Sequence, residues 1–378
     1  MAPGVNMRVI PFSLPTGYFV PMNMLIPKED QEFILSQLKD SARTLSNEHV
    51  LITGATGFFG KWLTQSLLAM DRELGLNLSL TLVTRNKERA LKESPWLKKQ
   101  INVEWIESDI RELKSKKVYT TIIHGAAAAS RDLNENHSKV MFDTIVDGTK
   151  KVLQLTENSP CKRVLFISSG AVYGTQPPLL SHIPEDYMGG PDLYSPQAAY
   201  AEAKRAAEFL CAAQSRTQGF ELKIARCFAF VGPYLPLDIH FAAGNFLKEI
   251  LENKTITLSG DGSPLRSYLY TADLLVWLLK ILLNGTDRTP YNVGSDQALS
   301  ILELAQILDK IGEKLYPERK NLHQRILMTT PKSIPTLSRN IYVPSIKRAQ
   351  AELGLEVWTD LQSALIKTLR WYEKQGFQ

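Results

Sequence analysis

The run Val50-Leu51-Ile52-Thr53-Gly54-Ala55-Thr56-Gly57-Phe58-Phe59-Gly60 constrains this chain more than any other feature. Its first four residues read as a short apolar strand, and residues 61–68 carry apolar side chains at helical spacing. A strand, a glycine-spaced turn and a helix start together form a phosphate cradle. Gly54 permits the tight turn, Gly57 lets a pyrophosphate approach the backbone, and Gly60 lets helix and strand pack closely. The helix N-terminus adds unpaired N–H groups and a partial positive charge. Glycines at this spacing alone say little, but between a strand and a helix they mark a dinucleotide site.

Strand and helix patterns alternate from there. Strand-like runs fall at 49–53, 78–84, 102–106, 119–125, 163–169 and 222–228. Helical patterns fall at 60–74, 86–93, 138–157 and 198–217. That rhythm predicts an α/β fold, a doubly wound parallel sheet of the Rossmann kind, with ligands at the carboxyl ends of the strands. After residue 230 the rhythm loosens. Helices are expected at 244–252, 272–284, 300–314, 345–353 and 359–374, short strands at 255–258, 290–293 and 325–328, and a polar loop over 316–338. The expected division is an extension over 1–46, a dinucleotide-binding domain over 47–233 with segments near 265–295 returning to it, and a smaller α/β substrate lobe over 234–378. Within the extension, Pro11, Pro15, Gly17, Pro21 and Pro27 precede an amphipathic helix over 28–45. That helix packs either on the main domain or on a partner subunit.

A chain of 378 residues is long enough for a sizeable core. A net charge of +5 suits an anionic substrate, but no basic run or basic–aromatic stripe points to nucleic acid. The cluster Lys114-Ser115-Lys116-Lys117 reads as a solvated loop or helix end. Cys161, Cys211 and Cys227 lie far apart, with no metal-ligand spacing, and read as free thiols, two of them buried, in a reducing compartment. No apolar run approaches the ~18 residues of a membrane span. The start lacks the features of a signal peptide, so a cytoplasmic location without a membrane partner is expected.

The chemistry-bearing residues fall at strand ends. The second strand ends Leu82-Val83-Thr84-Arg85, where an acidic residue would grip the ribose hydroxyl of NAD. Thr84 stands there instead, and the guanidinium of Arg85 suits a 2′-phosphate, which favours NADP over NAD. Asp109 either accepts from the adenine amino group or caps its strand end. His124 reads as a packed core histidine beside the small residues Gly125, Ala126 and Ala127. The buried strand 164–167 runs into Ser168-Ser169-Gly170-Ala171-Val172-Tyr173-Gly174, and Tyr200-Ala201-Glu202-Ala203-Lys204 opens a later helix. Tyrosine and lysine four apart share a helix face. An unperturbed phenol titrates at about 10, so a neighbouring ammonium together with the positive nicotinamide ring is expected to lower Tyr200 toward neutrality.

These motifs resemble an extended short-chain dehydrogenase/reductase of the NAD-dependent epimerase/dehydratase family, which acts on nucleotide sugars. The likeness runs from about residue 48 to about 375. It is carried by residues 53–60, His124-Gly125-Ala126-Ala127, Ser168 to Gly174, and Tyr200 with Lys204. Arg226, Gly232-Pro233, Gly260-Asp261-Gly262, Arg266, Tyr268, Asp273 and Tyr291-Asn292-Val293-Gly294 extend it. The resemblance implies a catalytic set of Ser169, Tyr200 and Lys204. It implies dinucleotide contacts at Gly54, Thr56, Gly57, Phe58, Phe59, Gly60, Thr84, Arg85, Asp109, Ile110, Ala126 and Ala127, with Tyr200 and Lys204. Substrate contacts fall to Ser169, Tyr200, Asn245 and Arg266, the last holding a diphosphate. His240 is either a substrate contact or a structural helix-start residue. No metal is implied, and a homodimer is expected through the helices over 138–157 and 198–217.

Departures from the pattern bear on the reaction. Sugar 4,6-dehydratases of this family place an Asp-Glu pair after the catalytic hydroxyl residue, and the related decarboxylases keep a glutamate at the second position. Gly170 and Ala171 stand here, and neither carries a proton. Ala229, Ala199, Ile145 and Ser267 replace an asparagine, a proline, an asparagine and an aspartate. The expectation is therefore a C4 epimerase or 4-keto reductase of nucleotide sugars using NAD(P). Its alternatives are a 4,6-dehydratase with acids from elsewhere, such as Glu185 or Asp186, and a non-catalytic dinucleotide sensor or scaffold.

Overall fold

The computed structural model describes residues 25–127, 131–157, 159–238, 241–318, 326–329 and 340–376. His240 and most of the expected loop over 316–338 lie outside them. The described chain opens with α1 (Lys28–Ala42), the helix expected in the extension. The alternation then begins with β1 (His49–Thr53), α2 (Phe58–Leu74), β2 (Ser79–Thr84), α3 (Lys87–Glu93) and β3 (Val103–Glu107). β4 (Thr121–His124), α4 (Arg131–Asn136), α5 (Ser138–Gln154), β5 (Arg163–Ser169), α6 (Ala199–Gln218) and β6 (Glu221–Cys227) follow.

The C-terminal third contains β7 (Phe230–Val231), α7 (Ala242–Leu251), β8 (Ile256–Leu258), β9 (Leu265–Arg266), β10 (Leu269–Tyr270) and α8 (Thr271–Asn284). β11 (Thr289–Val293), β12 (Leu299–Ser300), α9 (Ile301–Leu315), β13 (Ile326–Met328), β14 (Ile341–Tyr342), α10 (Lys347–Leu353) and α11 (Leu361–Lys374) complete it.

Seven parallel strands form one sheet in the order β11-β6-β5-β4-β1-β2-β3. β1, β2, β4 and β5 are near-continuous apolar runs because both faces of the sheet are covered. Helices α5 and α6 pack together over one face, on Leu51, Ile122, Val164, Phe166 and Leu222. The other face carries α2 and α8, with α1 laid across both. α8 is apolar over most of its surface because Thr271 to Leu279, Ile281 and Leu282 are all buried.

The chain reverses its direction of winding between β1 and β4, which are hydrogen-bonded neighbours. Loops leaving the carboxyl ends of those two strands therefore diverge and open a crevice. Smaller sheets stand beside it. β9 pairs antiparallel with β12 and parallel with β14, and β8 pairs with β13. Among the described residues, no helix is long and apolar enough to cross a membrane.

Candidate active site

The turn after β1 is shaped by its glycines. Gly54 has φ 73°, and a Cβ there would meet the Gly125 backbone at 2.8 Å. A Cβ on Gly60 would lie 2.2 Å from the Gly54 carbonyl oxygen, so α2 approaches β1 only because that side chain is missing. Gly57 differs. Its N–H donates to the Gly54 carbonyl at 3.0 Å, and a Cβ there would touch only that oxygen, at 3.3 Å. It is also the N-cap of α2 and offers no capping side chain. An open backbone at a helix start fits a dinucleotide diphosphate. Thr56, Phe58 and Phe59 surround this turn, and Phe59 sits edge-on to Phe230 at 5.1 Å between ring centroids.

Behind the turn a directed chain of hydrogen bonds ties β1 to β4. The Ala126 N–H donates to Thr53 Oγ1 at 3.1 Å, and Thr53 Oγ1 lies 2.7 Å from His124 Nδ1. His124 Nε2 lies 3.0 Å from Thr149 Oγ1, whose own proton goes to the Ile145 carbonyl at 2.7 Å. Thr149 must therefore accept from His124, which puts a proton on Nε2; with the ring neutral through burial, Nδ1 takes the Thr53 hydroxyl proton. Burial, with Lys204 nearby, pushes its pKa down to about 3. His124 is a core residue that holds the Gly125–Ala127 loop in place.

At the end of β2, Thr84 is buried and exchanges weak hydrogen bonds with the Asn86 backbone. Arg85 is exposed, and its charge helps to hold the Asp109 carboxyl below the usual range, after the larger effect of Arg111. Asp109 caps the turn that follows it and accepts from Nε and Nη2 of Arg111, each at 2.9 Å. Ile110 is buried against Gly148 of α5.

Ser169, Tyr200 and Lys204 converge at the carboxyl end of β5. The Tyr200 hydroxyl interacts with that of Ser169. Lys204 is 2% exposed, donates to the Ile167 carbonyl at 2.7 Å and lies 6.0 Å from the Tyr200 ring centroid. Burial pushes the ammonium down to about 8. The expected lowering of Tyr200 is not found in the chain by itself. Burial drives the phenol up to about 12, opposed by Ser169. The lysine has committed a proton to the Ile167 carbonyl and sits 4.9 Å from the Phe166 ring centroid.

Beneath this set lies a buried polar network. Ser168 Oγ donates to Glu208 at 2.5 Å, Glu208 takes two nitrogens of Arg226 at 3.1 and 2.7 Å, and Arg226 reaches the Tyr173 hydroxyl at 2.9 Å. Tyr173 donates to Asn292 at 2.8 Å, and the Asn292 N–H donates to the Glu185 carboxylate at 3.0 Å. Glu185 is thus engaged in this network, and Asp186 is exposed.

Two aromatic residues that sequence reasoning missed line the same place. A Cβ on Gly170 would meet the Phe228 ring at 2.6 Å, so a side chain at 170 is excluded by that ring. Tyr342 stacks on Phe228 with centroids 4.6 Å apart, and its hydroxyl interacts with Ser169. The pair Gly170-Ala171 was the one visible sign of such crowding. Tyr342, on a two-residue strand far along the chain, left none.

Arg266, the register partner of Tyr342, is half-buried with its guanidinium 5.9 Å from the Tyr342 ring centroid. It donates to the Leu265 and Asn340 carbonyls, and among the described residues no carboxylate forms an ion pair with it. Such a cation is ready for an anionic ligand. Asn245 is exposed on the first turn of α7.

Comparison with known proteins shows the family and the fold. The model of the NAD dependent epimerase/dehydratase family matches residues 50–294. UDP-glucuronic acid decarboxylase 1 of Danio rerio is 29% identical over 329 residues, covering 87% of this chain and 73% of that protein. UDP-glucuronic acid decarboxylase 5 of Arabidopsis thaliana is 29% identical over 333 residues, covering 87% and 91%. Among solved structures, UDP-glucuronic acid 4-epimerase from Bacillus cereus, in complex with UDP-glucuronic acid and NAD, superposes with a TM-score of 0.71 at 21% identity, over 86% of this chain and 99% of that one. A dTDP-glucose 4,6-dehydratase from Streptomyces venezuelae, with NAD bound, gives 0.70 at 23% identity, over 86% and 97%. The chain belongs to the NAD-dependent epimerase/dehydratase family and is an enzyme of the extended short-chain dehydrogenase/reductase type.

Proposed function

We propose that this enzyme works at C4 of a nucleotide sugar, as a 4-epimerase or a 4-keto reductase. The observation that carries the reading is a tyrosine–serine hydroxyl pair above a buried ammonium, beside Gly170 and Ala171, which carry no proton. When bound, a nicotinamide dinucleotide supplies hydride acceptor and donor. Tyr200 moves the proton of the C4 hydroxyl, and Ser169 holds that oxygen. Lys204 is protonated at neutral pH and lends positive charge to the phenol from its helix face. Arg266 takes the diphosphate, and Asn245 stands as a further substrate contact. Arg85 at the end of β2, with Thr84 where an acid would stand, supports NADP over NAD.

Decarboxylation is the second reading, favoured by the sequence relatives. A uronic acid oxidised at C4 is a β-keto acid, which loses carbon dioxide without a dedicated protein acid. Dehydration is less well supported, because Glu185 is committed to the Asn292 backbone.

The test is to purify the enzyme, identify any dinucleotide it retains, and incubate it with UDP-glucose and UDP-glucuronic acid alone, and with a nucleotide 4-keto-sugar plus NADPH. A 4-epimer formed from a 4-hydroxy sugar without added cofactor supports the epimerase, and oxidation of NADPH with the 4-keto sugar, without epimerisation of the 4-hydroxy sugars, supports the reductase. Carbon dioxide from UDP-glucuronic acid would overturn both in favour of the decarboxylase. Tyr200→Phe is expected to lower kcat about 10³-fold while dinucleotide binding persists. Retained turnover in that variant would refute the assignment of the proton to Tyr200.

A further inference from the structure

Lys204 and Glu208 stand four residues apart on α6, on one helix face, and both are buried. A cation and a carboxylate at that spacing ordinarily pair. Here each is engaged elsewhere. Lys204 donates to the Ile167 carbonyl at 2.7 Å, with its ammonium 6.0 Å from the Tyr200 ring centroid. Glu208 accepts from Ser168 at 2.5 Å and from Nε and Nη2 of Arg226 at 3.1 and 2.7 Å, and its ion pair is with Arg226. Arg226 on β6 is the register partner of Ser168 on β5, so a guanidinium and a hydroxyl grip the carboxylate from adjacent strands. The remaining guanidinium nitrogen, Nη1, donates to the Tyr173 hydroxyl at 2.9 Å and the Glu185 carbonyl at 3.2 Å.

This arrangement sets the charge beneath Tyr200. The other titratable groups facing Lys204 are His124 on β4, Cys227 on β6 and Cys211 on α6, and burial keeps all three uncharged at pH 7. Tyr342 on β14, near Tyr200, is likewise uncharged. Two cations and one carboxylate remain, a surplus of one positive charge. Without Arg226, Glu208 would cancel Lys204, and an ammonium neutralised by a carboxylate lends a phenol little field.

We infer that Arg226 is a positioning residue for the catalytic pair: by holding Glu208 it leaves the Lys204 ammonium uncompensated, so that its charge acts on Tyr200. This rests on the assignment of the C4 hydroxyl proton to Tyr200 given above. Glu208 and Arg226 themselves touch neither substrate nor dinucleotide in this role.

The test is a pH titration of each variant saturated with NAD or, where it binds more tightly, NADP. The phenolate absorbance of Tyr200 is taken as the difference from Tyr200→Phe in the same background. Arg226→Met is expected to raise the Tyr200 midpoint by about one pH unit, and Glu208→Gln to lower it by about one. The double variant restores the single surplus charge and is expected to return to within about 0.3 unit of the wild type. A purely structural ion pair would lower stability and move no midpoint. Unmoved midpoints in the single variants, or opposite shifts that fail to cancel in the double variant, would overturn the inference. Arg226→Met leaves a buried carboxylate unpaired and loses stability. Where it does not fold, Glu208→Gln and the double variant decide by their difference of about one unit. Turnover separates this claim from the C4 reading. A Tyr200→Phe enzyme that still turns over sinks that reading, whereas an inactive one with unmoved midpoints sinks only the role of Arg226.

Discussion

Lys204 is an ammonium in a place that disfavours charge, and this has a measurable cost. Its pKa in the fold is about 8, against an ordinary value of 10.5. Between those values the unfolded chain binds the extra proton, so stability rises with pH across that window and is lowest below it. At roughly 1.4 kcal/mol per unit, the charged lysine costs the fold about 3 kcal/mol at neutral pH. Lys204→Met is therefore expected to raise the urea midpoint at pH 7, with the gain shrinking toward pH 10, while turnover is lost. A destabilised variant at pH 7 would show instead that the Ile167 hydrogen bond outweighs the buried charge. The pairing of Tyr200 with Lys204 is legible in the sequence because four residues make about one helical turn. The upward shift of Tyr200 is not, because the burial comes from segments distant in sequence, β5 and β6 among them, packed against its helix. Tyr342 is hidden for the same reason.

The strand–turn–helix element separates two jobs that look identical as letters. Gly60 is required by the protein, since a Cβ would drive into the Gly54 carbonyl. Gly57 is asked for less by the fold, since a Cβ there would meet a single backbone oxygen at 3.3 Å, and we propose that it serves chiefly what binds. Gly60→Ala is expected to destabilise by about 2 kcal/mol or more through overpacking. Gly57→Ala is expected to keep its urea midpoint yet weaken dinucleotide binding about tenfold or more, read by titration. Equal loss of stability in both would mean that Gly57 serves the fold rather than the phosphates. Elements of this kind were legible in outline. β1 and β5 fall where apolar runs place them, and the helix over 300–314 is marked by a capping box between Ser300 and Glu303. The two-residue strands β7, β9, β10, β12 and β14 could not be read, because two residues carry no period. They are set by pairing, and β9 with β14 builds the Arg266–Tyr342 edge of the site.

For the whole molecule, α1 is an integral part of the core. Asp30 is buried and takes hydrogen bonds from Tyr270 at 2.5 Å and Lys367 at 2.7 Å, which ties the N-terminal helix to β10, just ahead of α8, and to α11. Ile34, Leu38 and Ala42 close the outer side of α8, an enclosure that a hydrophobic pattern predicts only as amphipathicity without naming its partner. The opposite flank is left uncovered. α5 and α6 pack against each other, yet Val140 on α5 is 45% exposed and Phe209 on α6 is 69% exposed. A large aromatic left in water on a regular helix favours covering by a second copy, and a two-fold axis would place the same helices against themselves as a four-helix bundle. Burying one such phenyl ring is worth about 1.5–3 kcal/mol, and the symmetry counts it twice. Phe209→Glu is therefore expected to weaken the dimer by a factor on the order of 10²–10⁴. Sedimentation of the wild-type enzyme at twice the chain mass, and of the variant near one chain mass at micromolar concentration, is the expected pair of results. A wild-type monomer would remove the dimer altogether, and a variant that stays dimeric would move the contact to another face.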